Sequence, residues 1–318
     1  MTTLRRVLVV AKRSTYDLYV REHGLPRVRA LLARKDITVA RLRRADEHHR
    51  RTLEETHAAL EAVGAKVSVR ARDRVGDTEG FDLVVSVGGD GTLLWVSHFV
   101  GARVPLLGVN SAPQDSVGFL CGAAMGGVRA HLEAVVDGEV PRLRVARMKV
   151  TVDGEVVHAR VLNDALFCHP QPANTSRYLI DLDERLEEQK SSGVWISTAA
   201  GSTAAIRSAG GRRLPLGSRM LQFVVREPYR AEGAPYAMER GLVKPGQPFE
   251  ILNKMRQARL YIDGPRVTST VEIGQRVGFA LSDEPLSLYG VSPRARMPGA
   301  RRDAGSIPPG APAEPEPA

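Results

Sequence analysis

The chain has 318 residues, 43% of them hydrophobic and 25% charged, with a net charge of +9 and a pI near 9.9. That length supports a large core and about two domains, the composition is that of a soluble globular protein, and no apolar run nears the roughly 18 residues a membrane span needs. The basic balance points to polyanions, but the arginines are scattered and aromatics reach only 5%, so no stacking platform or basic helix marks a nucleic-acid reader; the charge reads first as the basic surface of an arginine-rich protein, with some of it available to attract a phosphorylated small molecule.

In chain order, MTTLRRVLVVAKR has a short apolar run that passes straight into Ala11, Lys12 and Arg13 with no small-residue cleavage site. It reads as a first strand, Leu4–Val10, rather than a signal peptide, and a cytoplasmic protein is expected. Asp46–Gly64 carries Leu53, His57 and Leu60 on helical spacing, and Gly64 is a natural stop. Lys66–Arg70 alternates like a strand, and Asp82–Val87 is a continuous apolar run typical of a strand buried on both faces. A helix over Thr92–Val100 and a strand over Val104–Val109 follow. This alternation predicts a doubly wound parallel sheet of the α/β class over residues 1–140.

Beyond Pro141 the texture becomes β-rich. Leu143–Val152, Val156–Leu166, Tyr178–Asp183, Val194–Thr198, Arg219–Val225, Phe249–Asn253, Ala258–Ile262, Val267–Val271 and Arg276–Ala280 are short β-like runs. Turn sequences such as VDGE, IDGP and KPGQ separate them. One short helix is expected near Thr203–Gly210. A second, β-rich domain over 141–288 is predicted, then a Pro/Ala/Gly-rich disordered tail over 293–318. Cys121 and Cys168 form no CxxC pair or metal spacing and read as buried, inert thiols.

The chemistry gathers at FDLVVSVGGDGTLLWVSHFV, residues 81–100. A buried strand ending in Gly88-Gly89-Asp90-Gly91-Thr92 and leading into a helix sets backbone N–H groups at the carboxyl edge of the sheet, where open α/β sheets bind ligands. Glycines let an anion approach the backbone, and the helix dipole favours phosphate. A carboxylate there is repelled by phosphate unless its charge has a use: collecting a proton from an attacking hydroxyl, or holding a metal that bridges phosphates. The plain alternative is that Asp90 only caps the helix.

Three further clusters follow. Gly108-Val109-Asn110 ends a strand and precedes Gly118-Phe119-Leu120. Asn163 and Asp164 stand side by side. SSGVWISTAAGSTAAIRSAGG, residues 191–211, is rich in small residues and hydroxyls. Each alone has a dull reading as a loop asparagine, a turn or a packing seam. Arg177, Lys190 and Arg207 lie near the last cluster in sequence and suit either phosphate contact or a solvated surface. His98, His158 and His169 are close in sequence but receive no role.

With GGDGT, the Asn163-Asp164 pair and the GSTAA…SAGG block in this order, the chain resembles the NAD kinase family from its first strand to about Leu288. The SSG…STAAGSTAA…SAGG block followed by LQFVVREP, residues 221–228, is most similar to the plant NADH kinase branch. The resemblance implies an α/β domain plus a β-rich, sandwich-like domain with the active site between them. It implies that Asp90 is catalytic at the adenosine 2′-hydroxyl, and that Gly88, Gly89, Gly91 and Thr92 hold phosphates. It also implies dinucleotide contacts at Asn110, Asn163, Asp164, Ser192, Thr203, Ala204, Ala205 and Ser208. Expected are NAD(H) and ATP as substrates, Mg²⁺ with the ATP, no other metal, and a homodimer or larger homo-oligomer.

Two departures stand out. Many bacterial members have an aspartate where this chain has Ser192, and a tyrosine where it has Ala205; their TPTG is TAAG here, residues 198–201. Losing a carboxylate near a cationic nicotinamide implies that NADH is accepted at least as well as NAD⁺. A diacylglycerol or sphingosine type of lipid kinase shares GGDGT, and phosphofructokinases carry a related turn, but neither has the later two blocks. A dinucleotide-binding protein without catalysis is the remaining alternative.

Overall fold

Side chains that alternate along the first apolar runs pack on two different faces of one sheet. The computed structural model describes residues 3–230 and 236–291; the tail expected over 293–318 lies outside them. Strands β1 (Arg6–Ala11), β2 (Lys66–Ala71), β3 (Leu83–Gly88) and β4 (Leu106–Asn110) run parallel in the order β2-β1-β3-β4, and β5 (Ala123–Ala124) pairs with β4. Val7, Val9, Leu83, Val85 and Val87 face helices α2 (Leu42–Ala62) and α4 (Val128–Asp137), while Leu8, Val10 and Val84 face α3 (Asp90–Ser97). Helix α1 (Pro26–Ala33) stands at the periphery with no buried residue. Gly64, at φ +77°, turns the chain out of α2, as the sequence predicts.

The same sheet is completed from far along the chain. Strand β6 (Arg142–Val145) pairs antiparallel with β19 (Leu286–Tyr289), which lies parallel to β4. Spatial units therefore do not follow a single cut in sequence near residue 140. The run Leu143–Val152 is divided between β6, in this sheet, and β7 (Met148–Val152), in the next. Helices α1 and α4 were not expected from the sequence, although VRAHLEAVVD sets Val128, Leu132 and Val135 at helical spacing on the face that α4 buries.

Two antiparallel sheets make the β-rich part. One contains β7, β8 (Glu155–Val161), β10 (Ser176–Leu182), β11 (Arg185–Ser191), β15 (Phe249–Asn253) and β18 (Arg276–Leu281). The other contains β9 (Asp164–Cys168), β12 (Val194–Ser197), β13 (Leu221–Val225), β14 (Arg240–Val243), β16 (Gln257–Ile262) and β17 (Val267–Glu272). Their facing sides share one core. Phe223 of one stacks on Phe249 of the other at 4.9 Å between ring centroids, and Phe167 meets Tyr178 edge-on at 5.5 Å. Strand β11 escapes the sequence reading because RLEEQKS is mostly polar. A short helix α5 (Ala205–Ser208) follows β12. Both cysteines are buried. Among the described residues no helix is long and apolar enough to cross a membrane.

Candidate functional site

Every residue of β3 is buried, and the strand ends at Gly88, immediately before the loop that starts α3. The glycines are required by crowding. A side chain on Gly88 would collide with that of Thr92, and one on Gly89 would come within 2.9 Å of Ser116 Oγ. Gly91, in contrast, is exposed with open space beside it, so the loop's outer edge is free for a ligand. Thr92 is buried beneath the loop and its N–H donates to the Gly89 carbonyl at 2.9 Å.

Asp90 is the first residue of α3, and the helix cap is Gly89 without any side-chain bond, so Asp90 is not acting as a cap. Its Oδ2 accepts the N–H of Phe119 at 2.6 Å and its Oδ1 that of Leu120 at 2.7 Å. Each oxygen retains further acceptor capacity toward a ligand. The loop that supplies these amides is shaped by Gly118, at φ +60°, where the Asn110 side chain fills the space a Cβ would need. Asn110 Nδ2 donates to the Ser116 carbonyl at 2.9 Å and its Oδ1 accepts from Ala112 N–H at 3.1 Å. Asn110 thus holds the loop from behind and does not line the cleft beside Asp90.

That cleft has a volume of about 720 Å³. Asp90, Phe119 and Leu120 line it from the parallel-sheet side, and Asn163, Ala200, Thr203, Ala204, Arg207 and Arg213 from the β-rich side. Asn163 Oδ1 is buried and has no hydrogen-bond partner among the described residues, which marks it as an acceptor waiting for a donor. Thr198 N–H donates to the Asn163 carbonyl at 2.9 Å, and a side chain on Gly201 would strike the Asn163 backbone. The small residues of the GST block therefore bring Thr203 and Ala204 against the same asparagine.

The other sequence candidates are placed elsewhere. Asp164 opens β9, is 6% exposed, and does not line the cleft. Burial, and then neighbouring Asp263, push its carboxyl up to about 7. Ala205 and Ser208 begin and end α5 and are exposed outside the cleft. Ser192 lines a second cleft of about 440 Å³ with Trp195, Arg226 and Tyr261. Arg177 and Lys190 face each other across β10 and β11, in the sheet remote from Asp90, whereas Arg207 does line the cleft.

A buried network that sequence reading missed holds the two sides in register. Asp263, whose side chain is wholly buried, accepts N–H bonds from Leu162 at 2.8 Å, Asn163 at 2.7 Å and Asp164 at 3.0 Å. His98, the residue after α3, puts Nε2 at 3.3 Å from the Asp263 carboxylate and Nδ1 at 2.9 Å from His158 Nε2. The Arg160 N–H donates to His158 Nδ1 at 3.2 Å, so every proton in the chain has one direction, from Arg160 through His158 and His98 to Asp263. Arg147, fully buried, caps the carboxyl end of α3 by donating to the Ser97 and Val100 carbonyls at 2.9 and 2.8 Å. Helix α3 is thus fixed at one end while Asp90 stands at the other. The only sequence trace of Asp263 is IDGP, which reads as a turn; it is one, with Asp263 at φ +48°.

The family described as ATP-NAD kinase N-terminal domain matches residues 7–140. A protein of Oryza sativa subsp. japonica named "Probable NADH kinase" is 35% identical over 241 residues, covering 69% of this chain and 74% of its own length. One of Arabidopsis thaliana named "NADH kinase" is 36% identical over 227 residues, covering 64% and 71%. Among solved structures, an NAD kinase from Archaeoglobus fulgidus crystallised with ATP shares the fold at a TM-score of 0.62 and 20% identity, covering 89% of this chain and 92% of that one.

Proposed function

Because this chain belongs to the NAD kinase family, we propose that it transfers the γ-phosphoryl group of ATP to the adenosine 2′-hydroxyl of NAD(H), giving NADP(H) and ADP. The observation that carries this reading is the Asp90 carboxylate in the wall of a large cleft, held by the Phe119 and Leu120 amides, with Asn163, whose buried Oδ1 has no partner among the described residues, in the same lining.

In this reading the adenosine end enters between Asn163, Thr203 and Ala204. Asn163 Oδ1 accepts a hydrogen bond from the nucleoside, and Asp90 accepts one from the 2′-hydroxyl. A carboxylate is a far weaker base than an alkoxide, so deprotonating the alcohol early would be badly uphill. In a loose transition state the proton leaves late, and Asp90 need only aim the oxygen at the γ-phosphorus and then collect the proton. The amides of Gly89 and Gly91, at the positive end of α3, are directed to the transferred phosphate. Arg207 and Arg213 are set against the dinucleotide pyrophosphate.

Mg²⁺ enters as part of the donor, MgATP, where it offsets charge on the phosphates. Among the described residues no group of three or more His, Cys, Asp or Glu converges, and Asp90 is the acid in the cleft lining that would stand near a metal carried in with the donor.

NADH is proposed as the better acceptor. Ser192 lies in the second cleft, so within one chain its lost carboxylate does not explain the preference. The support comes instead from the plant relatives named NADH kinase, which match about two thirds of this chain. A homodimer or larger homo-oligomer belongs to the same proposal.

The deciding assay is NADPH formation from NADH and ATP, with diacylglycerol and sphingosine offered in parallel. Turnover of a lipid, or tight dinucleotide binding with no turnover, would replace this reading by the lipid kinase or the non-catalytic one. A kcat/KM for NADH far below that for NAD⁺ would remove the stated preference.

A further inference from the structure

Outside the acceptor cleft, three cations meet at the carboxyl edge of the parallel sheet. The order β2-β1-β3 sets the residues that follow these strands side by side, about 4.8 Å apart. Ala11 is in register with both Ala71 and Val87, so the next residues along this edge are Arg72, Lys12 and Gly88. The Lys12 N–H donates to the Val87 carbonyl at 3.4 Å, which fixes Lys12 against the start of the glycine loop. From the β-rich part, the turn after Asp263 brings Arg266, whose guanidinium carbon lies 5.8 Å from the centre of the Trp95 ring. Trp95, on α3, donates its indole N–H to the Arg72 carbonyl at 2.6 Å and so ties the two arginines to one helix.

Acids compensate these charges only in part. Neighbouring Arg13 pairs with Asp73 at 2.9 Å and Glu22 at 2.6 Å. Among the described residues Lys12, Arg72 and Arg266 have no ion-pair partner, although Asp73 lies close enough to act on Arg72. Burial and the charge of Arg72 make Lys12 more acidic than an ordinary lysine; burial and the charge of Arg266 do the same to Arg72. Arg21 likewise pairs with Asp17 and Asp46, each at 2.9 Å. Three half-buried or exposed cations that repel one another, next to a glycine loop with open space at Gly91, form a receptor for a ligand with several linked negative charges.

We infer that Lys12, Arg72 and Arg266 form the cradle for the donor's chain of linked phosphates, with Arg266 reaching from the β-rich part to close it. The inference rests on the kinase reading for the word donor, and it adds the residues that bind it. Nucleoside triphosphate and inorganic polyphosphate share this chemistry. With the phosphates held here and the 2′-hydroxyl in the cleft lined by Asp90, the γ-phosphorus comes to the glycine loop between them.

Arg266→Ala is the primary test, since this side chain is exposed and rests over the half-buried Trp95 ring; Lys12→Gln is the second. Removing one charged contact is expected to raise the KM for ATP about tenfold or more, with the KM for NADH and the unfolding midpoint unchanged. An unchanged KM for ATP, or an equal rise for both substrates, overturns the inference. If Lys12→Gln fails to fold, Arg266→Ala alone decides.

A binding measurement separates this from the kinase reading. In a Trp195→Phe background Trp95 is the remaining tryptophan, and its fluorescence reports on Arg266 above it. Titration with β,γ-imido-ATP and, separately, tripolyphosphate should give saturable changes that Arg266→Ala weakens about tenfold. That result upholds the cradle even if NADPH never forms. Tripolyphosphate binding as tightly as the ATP analogue assigns the cradle to polyphosphate chains in general, and much weaker binding assigns it to nucleotides. Normal NADPH formation with analogue binding untouched in Arg266→Ala leaves the kinase reading standing and removes the cradle.

Discussion

The carboxylate of Asp263 and the backbone N–H of Asn163 meet at 2.7 Å, although 100 residues separate them in the chain. One buried acid thereby fixes the peptide that carries the cleft's unpartnered acceptor, and through His98 it is joined to the helix that begins with Asp90. The separation between the acceptor-side asparagine and the carboxylate is set by this network, not by either residue's own neighbours.

Asp263→Asn keeps the shape but turns one acceptor oxygen into a donor group. At least one of the amides of residues 162–164, or His98, loses its partner. The expected cost is about 1–3 kcal/mol of stability, read by urea unfolding, with a raised KM for the dinucleotide. A variant with wild-type stability and KM would show that the network does not hold the asparagine.

Asp90→Asn preserves a side chain able to accept from one of the Phe119 and Leu120 amides, so the fold and dinucleotide affinity should survive. Loss of the proton acceptor should cut kcat by about 10²–10⁴. Near-normal turnover in a steady-state assay would exclude Asp90 from proton transfer.

Burial, then the charges of His158 and Arg147, push His98 down to about 3, and burial lowers His158 as well. His98 should remain neutral between about pH 5 and 8 and His158 should titrate below the ordinary histidine value, each neutral ring with its proton on Nε2. Nitrogen-15 spectra of the imidazoles provide the check; titration of His98 with a midpoint near the ordinary histidine value would break the proposed donor chain.

Asp164 is pushed up to about 7 by burial and then by Asp263. The folded chain then keeps a proton that the unfolded chain releases, so this group makes stability fall as pH rises from about 4 to about 7, by at most about 1.4 kcal/mol per unit. Asp263 adds a slope of the same sign, while His98 and His158 act oppositely below the ordinary histidine value. Comparing wild type with Asp164→Asn isolates the term: the variant should gain stability relative to wild type as pH rises. Parallel curves of unfolding midpoint against pH would show that Asp164 titrates normally.

Gly201→Ala places a methyl group against the Asn163 backbone, where no flexible side chain can yield. A loss of more than about 2 kcal/mol is expected, together with weaker dinucleotide binding, because Thr203 and Asn163 must separate. Thermal unfolding and a dinucleotide titration test both parts.

What the sequence determined was local. A buried apolar run followed by Gly88-Gly89-Asp90-Gly91 already specifies a strand, a tight turn and a helix, because backbone sterics and side-chain periodicity act between near neighbours. The blocks at 163–164 and 201–211 were legible for the same reason, as runs whose small and polar residues suit close approach. Tertiary structure alone decided which of them meet. It brought the Phe119 and Leu120 amides to Asp90, set Thr203 in the cleft but Ser192 in another, returned Leu286–Tyr289 to the first sheet, and turned IDGP from a plain bend into the anchor of the site. Such contacts depend on how sheets pack and which buried polar groups find partners, and neither quantity is written in the spacing of residues along a chain.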